Sequence, residues 1–64
     1  MQKVRVGFAL FIERAQQCQL ACNYKAAIAW WQKAATVCSS QTKRNEFYRH
    51  IDYCETQVRR LEHR

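Results

Sequence analysis

Apolar residues recur at steps of three and four along most of the chain, which predicts three amphipathic helices. The predicted helices cover approximately residues 3–22, 24–38 and 42–61. The first apolar stripe consists of Val4, Phe8, Phe11, Ile12, Ala15, Cys18 and Cys22. The second consists of Tyr24, Ala27, Ile28, Trp31, Ala34, Ala35 and Cys38. A heptad pattern in the third helix suits packing on the first two helices or on a second chain, and its positions are Phe47, Ile51, Cys54, Val58 and Leu61.

The predicted helix boundaries rest on residues that end or cap helices. Asn23 is expected to end the first helix, because asparagine tolerates the left-handed backbone conformation. A hydroxyl side chain is expected to cap the third helix, with Glu46 near its positive end, and the candidate caps are Ser39, Ser40 and Thr42. With one glycine and no proline, the chain lacks the turn residues of all-β folds. The sequence therefore predicts a single all-α domain of three helices.

The chain has 64 residues, and a chain of this length buries only about 60% of the surface that it exposes when unfolded. Such a chain cannot easily form both a core and a deep catalytic cleft. It contains no glycine-rich phosphate loop, and the pair His50 and Cys54 would still need an orienting group and a cleft for nucleophilic catalysis. We therefore expect neither enzymatic activity nor a cofactor.

The net charge is +6, from 11 basic and 5 acidic side chains, without a dense basic block. Direct DNA binding is one interpretation, in which the third helix would place basic side chains on phosphates. The candidate nucleic-acid contacts are Arg44, Arg49, Arg59 and Arg60. A solvated, solubilising surface is the other interpretation. The longest apolar run, Phe8 to Ile12, is far shorter than the roughly 20 residues that span a bilayer. The start of the chain does not resemble a signal peptide, so we expect a cytoplasmic location without membrane contact.

The four cysteines Cys18, Cys22, Cys38 and Cys54 allow three interpretations. A disulfide framework needs an oxidising compartment, whereas a zinc site needs four converging ligands. No CxxC pair occurs, and the spacing of His50 and His63 matches no common zinc finger. We therefore expect no metal site and reduced cysteines that pack as small apolar residues. Any redox role is left open by the sequence.

The segment from Phe11 to Ala34 resembles one tetratricopeptide unit, a helix–turn–helix repeat. A single repeat cannot bury its own apolar face, which favours an interaction module. Trp30 and Trp31 point about 100° apart on a helix, and the periodicity places Trp31 in the core. Trp30 then shares a neighbouring face with Ala26, Lys33 and Val37 and is a candidate interface anchor. The alternative is that the third helix covers both indoles.

A further resemblance rests on Ala15, Asn23-Tyr24-x-x-Ala27, Trp31-x-x-Ala34, Asn45-Glu46-Phe47-Tyr48-Arg49 and Tyr53-Cys54. This pattern resembles the AraC negative regulator family of short helical proteins, and PerC-like virulence activators share a similar layout. The resemblance implies direct binding to an AraC-type virulence activator, which blocks activator dimerisation or DNA binding in a negative-feedback loop. It also implies possible contact with an H-NS-type nucleoid protein.

The candidate partner or dimer interface combines the apolar stripes with the second tryptophan. Its residues are Val4, Phe8, Phe11, Ile12, Trp30, Val37, Phe47, Ile51, Val58 and Leu61. An amphipathic helix would place anchors in an apolar groove of the partner, and the candidate anchors are Phe8, Phe11, Ile12 and Trp30. The alternative is that Phe8, Phe11 and Ile12 form this chain's own core or a homodimer seam. We expect a homodimer, because it would cover apolar stripes that a short monomer exposes.

Overall fold

The computed structural model describes the backbone of residues 3–62 and the side chains of residues 8–62. It contains three helices, α1 (Lys3–Leu20), α2 (Tyr24–Val37) and α3 (Gln41–Glu62). The predicted all-α fold, a helical hairpin with a third packing helix, is thus confirmed. Each helix boundary lies within two residues of the predicted position.

Helix α2 lies between the other two helices and packs against both of them. Helices α1 and α3 run parallel to each other, since Phe8 contacts Phe47 near their first halves and Gln19 contacts Cys54 nearer their second halves. The Cα atoms extend over 46 × 21 × 13 Å, so the fold is an elongated and flattened slab.

The turn between α1 and α2 is a Schellman motif whose left-handed residue is Cys22, with φ of 63°. The N–H of Cys22 donates to the carbonyl of Gln19 (3.0 Å), and the N–H of Asn23 donates to that of Cys18 (2.8 Å). The prediction that Asn23 is left-handed is therefore wrong. Asn23 has φ of −91° and is the N-cap of α2, and its carbonyl accepts the N–H of Ala27 at 3.0 Å. The chain reverses one residue earlier than the sequence predicted.

The turn between α2 and α3 is held by side chains at both of its ends. Ser40 caps α3, because its Oγ accepts the N–H of Lys43 at 3.4 Å, which identifies it among the three candidate caps. The guanidinium of Arg44 donates to the carbonyl of Cys38 at 2.7 Å. The first turn of α3 contains no acidic residue, so Glu46 lies beyond the turn where the helix dipole acts most strongly. The expectation that Glu46 lies near the positive end of this helix is therefore wrong.

Trp31 is the largest side chain of the core, which also contains Phe47, Ile51 and several small residues. The buried residues are Ala15, Ala27, Trp31, Ala34, Ala35, Cys38, Phe47, Ile51 and Cys54. Four alanines at the contacts let the helix backbones approach closely, and the indole fills the remaining space. The predicted stripes therefore face the core in their central parts. The seam of α3 stops before its end, since Val58 is half-buried and Leu61 is 55% exposed.

Candidate interaction surfaces

The indole of Trp31 is held by two stacked rings and by a hydrogen bond at its N–H. It stacks on Phe47, with ring centroids 5.5 Å apart, and on His50, with centroids 4.3 Å apart and planes 12° from parallel. Its Nε1 donates to Oε1 of Gln19 at 3.1 Å, and the thiol of Cys54 donates to the same oxygen at 3.7 Å. Because both partners are donors, the amide oxygen of Gln19 must face them. Side chains from all three helices thus fix one ring.

A groove of about 490 Å³ runs between α1 and α3 beside this indole. It is lined by Gln19, Glu46, Arg49, His50 and Tyr53. An adjoining hollow of about 390 Å³ is lined by Gln16, Gln19, Leu20, His50 and Tyr53. Amide and imidazole groups line both, and the groove adds a carboxylate and a guanidinium, yet most of the lining surface of each is apolar. Leu20, in the hollow, is 85% exposed.

Gln19 and His50 were not among the residues that the sequence singled out for the core. Gln19 continues the steps of four, three and four from Phe8 through Ile12 and Ala15. A polar residue at such a stripe position is the signal that could have identified it. His50 likewise lies between Phe47 and Cys54 in the α3 stripe. A polar group that is buried from water needs a hydrogen-bonding partner, and the half-buried Gln19 has the Trp31 N–H, whereas His50 is exposed.

A second hollow, of about 270 Å³, lies where the α1–α2 turn meets the end of α3. It is lined by Cys22, Asn23, Tyr24, Lys25, Val58, Leu61 and Glu62. The hydroxyl of Tyr24 donates to Sγ of Cys22 at 3.7 Å, and this hydrogen bond is the main cause that raises the pKa of Tyr24 to about 12. Lys25 and Glu62 form an exposed ion pair at 3.2 Å, which contributes little to stability.

The opposite side of the slab carries a surface that we call the outer strip. It consists of Leu10, Phe11, Arg14, Trp30, Lys33 and Val37. The rings of Phe11 and Trp30 lie 5.8 Å apart and are both half-buried. Nζ of Lys33 lies 4.7 Å from the Trp30 ring centroid, and the guanidinium carbon of Arg14 lies 5.8 Å from it. The helical spacing places Leu10 four residues before Arg14 and Val37 four after Lys33, so each pair shares a face.

The candidate interface residues fall into three groups in the structure. Phe47 and Ile51 are buried in the chain's own core. Of the two packings that the heptad pattern allowed, the third helix thus packs these residues within its own chain and not on a second chain, so neither side chain is free for a partner. Four residues are half-buried against the core, namely Phe8, Phe11, Ile12 and Trp30, whereas Val37 is 47% exposed. Val58 and Leu61 line the second hollow, and the side chain of Val4 lies outside the described residues.

The four candidate DNA-contacting arginines do not form one surface. Arg44 is half-buried and holds the α2–α3 turn through Cys38, so its guanidinium is already engaged. Arg49, Arg59 and Arg60 are exposed. Three helical turns separate Arg49 from Arg60, which places them on one side of α3, while Arg59 points about 100° away.

All four cysteines are free in the structure. Cys38 and Cys54 are buried, Cys18 is half-buried and Cys22 is exposed, and burial raises the pKa of the Cys54 thiol. Among the described residues, no three histidine, cysteine or acidic side chains converge as metal ligands would. No helix within residues 3–62 combines the length and the apolar character needed to cross a membrane.

Comparison of the chain with protein-family models, curated proteins and solved structures finds no significant match in any of the three. Function is therefore inferred from the surfaces and from the sequence pattern.

Proposed function

We propose that this protein is a cytoplasmic negative regulator of virulence gene transcription that binds an AraC-type activator and blocks its dimerisation or DNA binding. The observation that supports this function most directly is the outer strip. There the rings of Phe11 and Trp30 pack together, and the strip also exposes Leu10 (39%) and Val37 (47%). Apolar side chains around a half-buried tryptophan are typical of protein-binding surfaces. The resemblance to the AraC negative regulators supplies the class of partner.

The outer strip is well suited to binding because its aromatic anchor is already ordered. Trp30 packs on Phe11 from the neighbouring helix and has Lys33 over its ring. An anchor that is held in place before binding loses little conformational entropy on association, so more of its contact energy becomes affinity. The groove and the adjoining hollow on the other side of the slab are lined by Tyr53 and, in the hollow, by Leu20, but by no tryptophan.

The mechanism is steric competition. The outer strip covers an apolar helical surface that the activator uses for self-pairing, so the bound activator cannot form its DNA-binding dimer. No covalent step and no cofactor are involved. The strength of inhibition then follows from mass action between this protein and the second activator subunit.

Calorimetric titration of a purified AraC-type activator tests this function. Replacing a tryptophan hot spot with alanine costs about 2 kcal/mol or more, so we expect Trp30→Ala to weaken binding roughly 30-fold. Tyr48→Ala is the matched control, because Tyr48 is an exposed aromatic residue on α3. Thermal unfolding by circular dichroism verifies that both variants are folded. An activator that does not bind, or that binds Trp30→Ala as tightly as the native chain, would contradict the proposal.

Direct DNA binding, as in a PerC-like regulator, is the second candidate function. The observation that favours it is the shared side of α3 on which Arg49 and Arg60 are exposed. Replacing either arginine with glutamine should then weaken DNA binding and reduce its salt dependence by about one phosphate contact. In that case Trp30→Ala should leave DNA affinity unchanged, which separates the two functions in a gel-shift assay.

The homodimer that the apolar stripes predict is part of the proposal. Leu20 is the most exposed large apolar residue of the described chain and lies at the far end of α1 from Leu10. A dimer that buries Leu20 would leave the outer strip accessible. Light scattering should then give twice the mass of one chain for the native protein and the mass of one chain for Leu20→Glu. A monomeric native protein would contradict the proposed homodimer.

A further inference from the structure

The charged groups beside the Trp30 ring are both positive. Lys33 approaches the ring to 4.7 Å and Arg14 to 5.8 Å, and both side chains are exposed. Across residues 1–38 the sequence has one acidic residue, Glu13, and all other acidic residues belong to α3. Glu13 lies about 100° around α1 from Arg14. The charged groups that contact this aromatic anchor are therefore both basic.

Neither cation of the outer strip is neutralised within the fold. Among the described residues, the ion pair of the structure joins Lys25 to Glu62 at 3.2 Å and involves neither Arg14 nor Lys33. Both cations instead interact with the face of an indole, which leaves their positive charge available to an incoming group. Charge complementarity at the outer strip therefore requires an acidic occupant.

A second copy of this chain is a poor occupant of the outer strip. Symmetric pairing presents the same patch from both chains, so it would place Arg14 and Lys33 against another pair of cations. A nucleic acid would satisfy the charges but would leave the apolar side chains of Leu10 and Val37 without apolar contacts. A protein segment that combines apolar and acidic residues satisfies both requirements.

We propose that the outer strip binds an acidic amphipathic segment of its partner, in which an apolar side chain contacts Phe11 and Trp30 while flanking aspartate or glutamate residues pair with Arg14 and Lys33. This inference rests on the proposed function and specifies which part of an AraC-type activator is bound. The acidic groups steer the encounter and fix the register, and the apolar contact holds the complex together.

The test is calorimetric titration of the full chain with an AraC-type activator at about 50 mM and about 500 mM salt, where screening lengths differ severalfold. The variant is Arg14→Gln with Lys33→Gln, which removes both charges at exposed positions. Its matched control is Lys43→Gln, another exposed lysine, on α3. We expect the double variant to lose about tenfold in affinity at low salt and most of the salt dependence. The control should stay within about twofold of the native chain.

The binding of the activator to the native chain and to the two variants separates the acidic segment from the proposed function. If Trp30→Ala weakens binding but the double glutamine variant does not, the acidic segment is refuted while the proposed function stands. If the native chain does not bind the activator, both fail. If duplex DNA or phosphatidylserine vesicles displace the activator with the same dependence on Arg14 and Lys33, the strip is a general anion-binding surface and the inference is overturned. The single variant Arg14→Lys keeps both positive charges, so an affinity close to that of the native chain would support a role of charge at this position.

Discussion

Replacing Gln19 with methionine should lower the free energy of unfolding by about 1–2 kcal/mol. The change keeps the length of the side chain but removes the oxygen that accepts the Trp31 N–H at 3.1 Å and the Cys54 thiol at 3.7 Å. A buried donor without a partner costs about 1–3 kcal/mol. We expect the lower part of this range, because Gln19 lines the groove and water can replace part of the lost bond. The thiol adds little, since it is a weak donor.

A double-mutant cycle isolates this hydrogen bond from packing. Trp31→Phe keeps an aromatic ring against Phe47 and His50 but removes the N–H, so Gln19→Met should cost less in that background than in the native chain. We expect a coupling energy of about 1 kcal/mol. Urea denaturation followed by far-ultraviolet circular dichroism measures it without depending on tryptophan fluorescence. Gln16→Met is the control, because Gln16 is exposed on the same helix.

A coupling energy below about 0.3 kcal/mol would refute this reasoning, since it would equal the additivity expected of independent sites. Equal stability of Gln19→Met and the native protein would refute it as well. Either result would mean that apolar packing alone positions the indole. A chain of this size has a total stability of roughly 3–10 kcal/mol, so the predicted loss is readily measurable.

Three further predictions concern the turns. Cys22→Gly should raise the free energy of unfolding by about 0.5–1 kcal/mol. Glycine removes the strain that φ of 63° imposes on a residue with a Cβ, and this gain exceeds the entropy that glycine adds to the unfolded chain. An unchanged melting temperature would contradict this. The hydrogen bond to Cys22 raises the pKa of Tyr24 from 10.0 to about 12, so the contribution of Tyr24 to stability is present below pH 10.0 and is lost as pH rises through about 12. Ultraviolet titration should show a lower pKa of Tyr24 in Cys22→Ala than in the native chain. An unchanged pKa would exclude the thiol as the cause. Ser40→Ala should lower the free energy of unfolding, measured by urea denaturation, by about 1 kcal/mol, and Ser39→Ala should lower it by less than about 0.5 kcal/mol. Equal effects of the two substitutions would reject Ser40 as the cap.

The periodicity of the sequence predicted the helices and the placement of Trp31, because both depend on spacing along one helix. It could not predict the partners of that indole. Gln19 and His50 reach it from two other helices, and only the packed fold brings these three residues together. The stripe position of Gln19 marked it as unusual but did not indicate which donors it would accept.

The surface of Trp30 was predicted only in part. The spacing along α2 placed Lys33 and Val37 on its face, whereas Phe11 and Arg14 come from α1 and depend on the angle between the helices. The error at Asn23 has a similar origin. Which residue becomes left-handed depends on where the last carbonyls of α1 lie, and composition favoured Asn23 over the neighbouring cysteine by conformational preference alone.

The position of α2 between its neighbours also determines how quickly and in what order the surfaces form. Nearly all contacts that hold the fold join helices adjacent along the chain, and such topologies fold within microseconds to milliseconds. Stopped-flow circular dichroism should therefore show one rapid phase, and a slow major phase would contradict this. The outer strip belongs entirely to α1 and α2, whereas the groove requires α3 as well. During synthesis from the N-terminus, the basic aromatic surface is therefore complete in sequence before the helix that carries most of the acidic residues has been made.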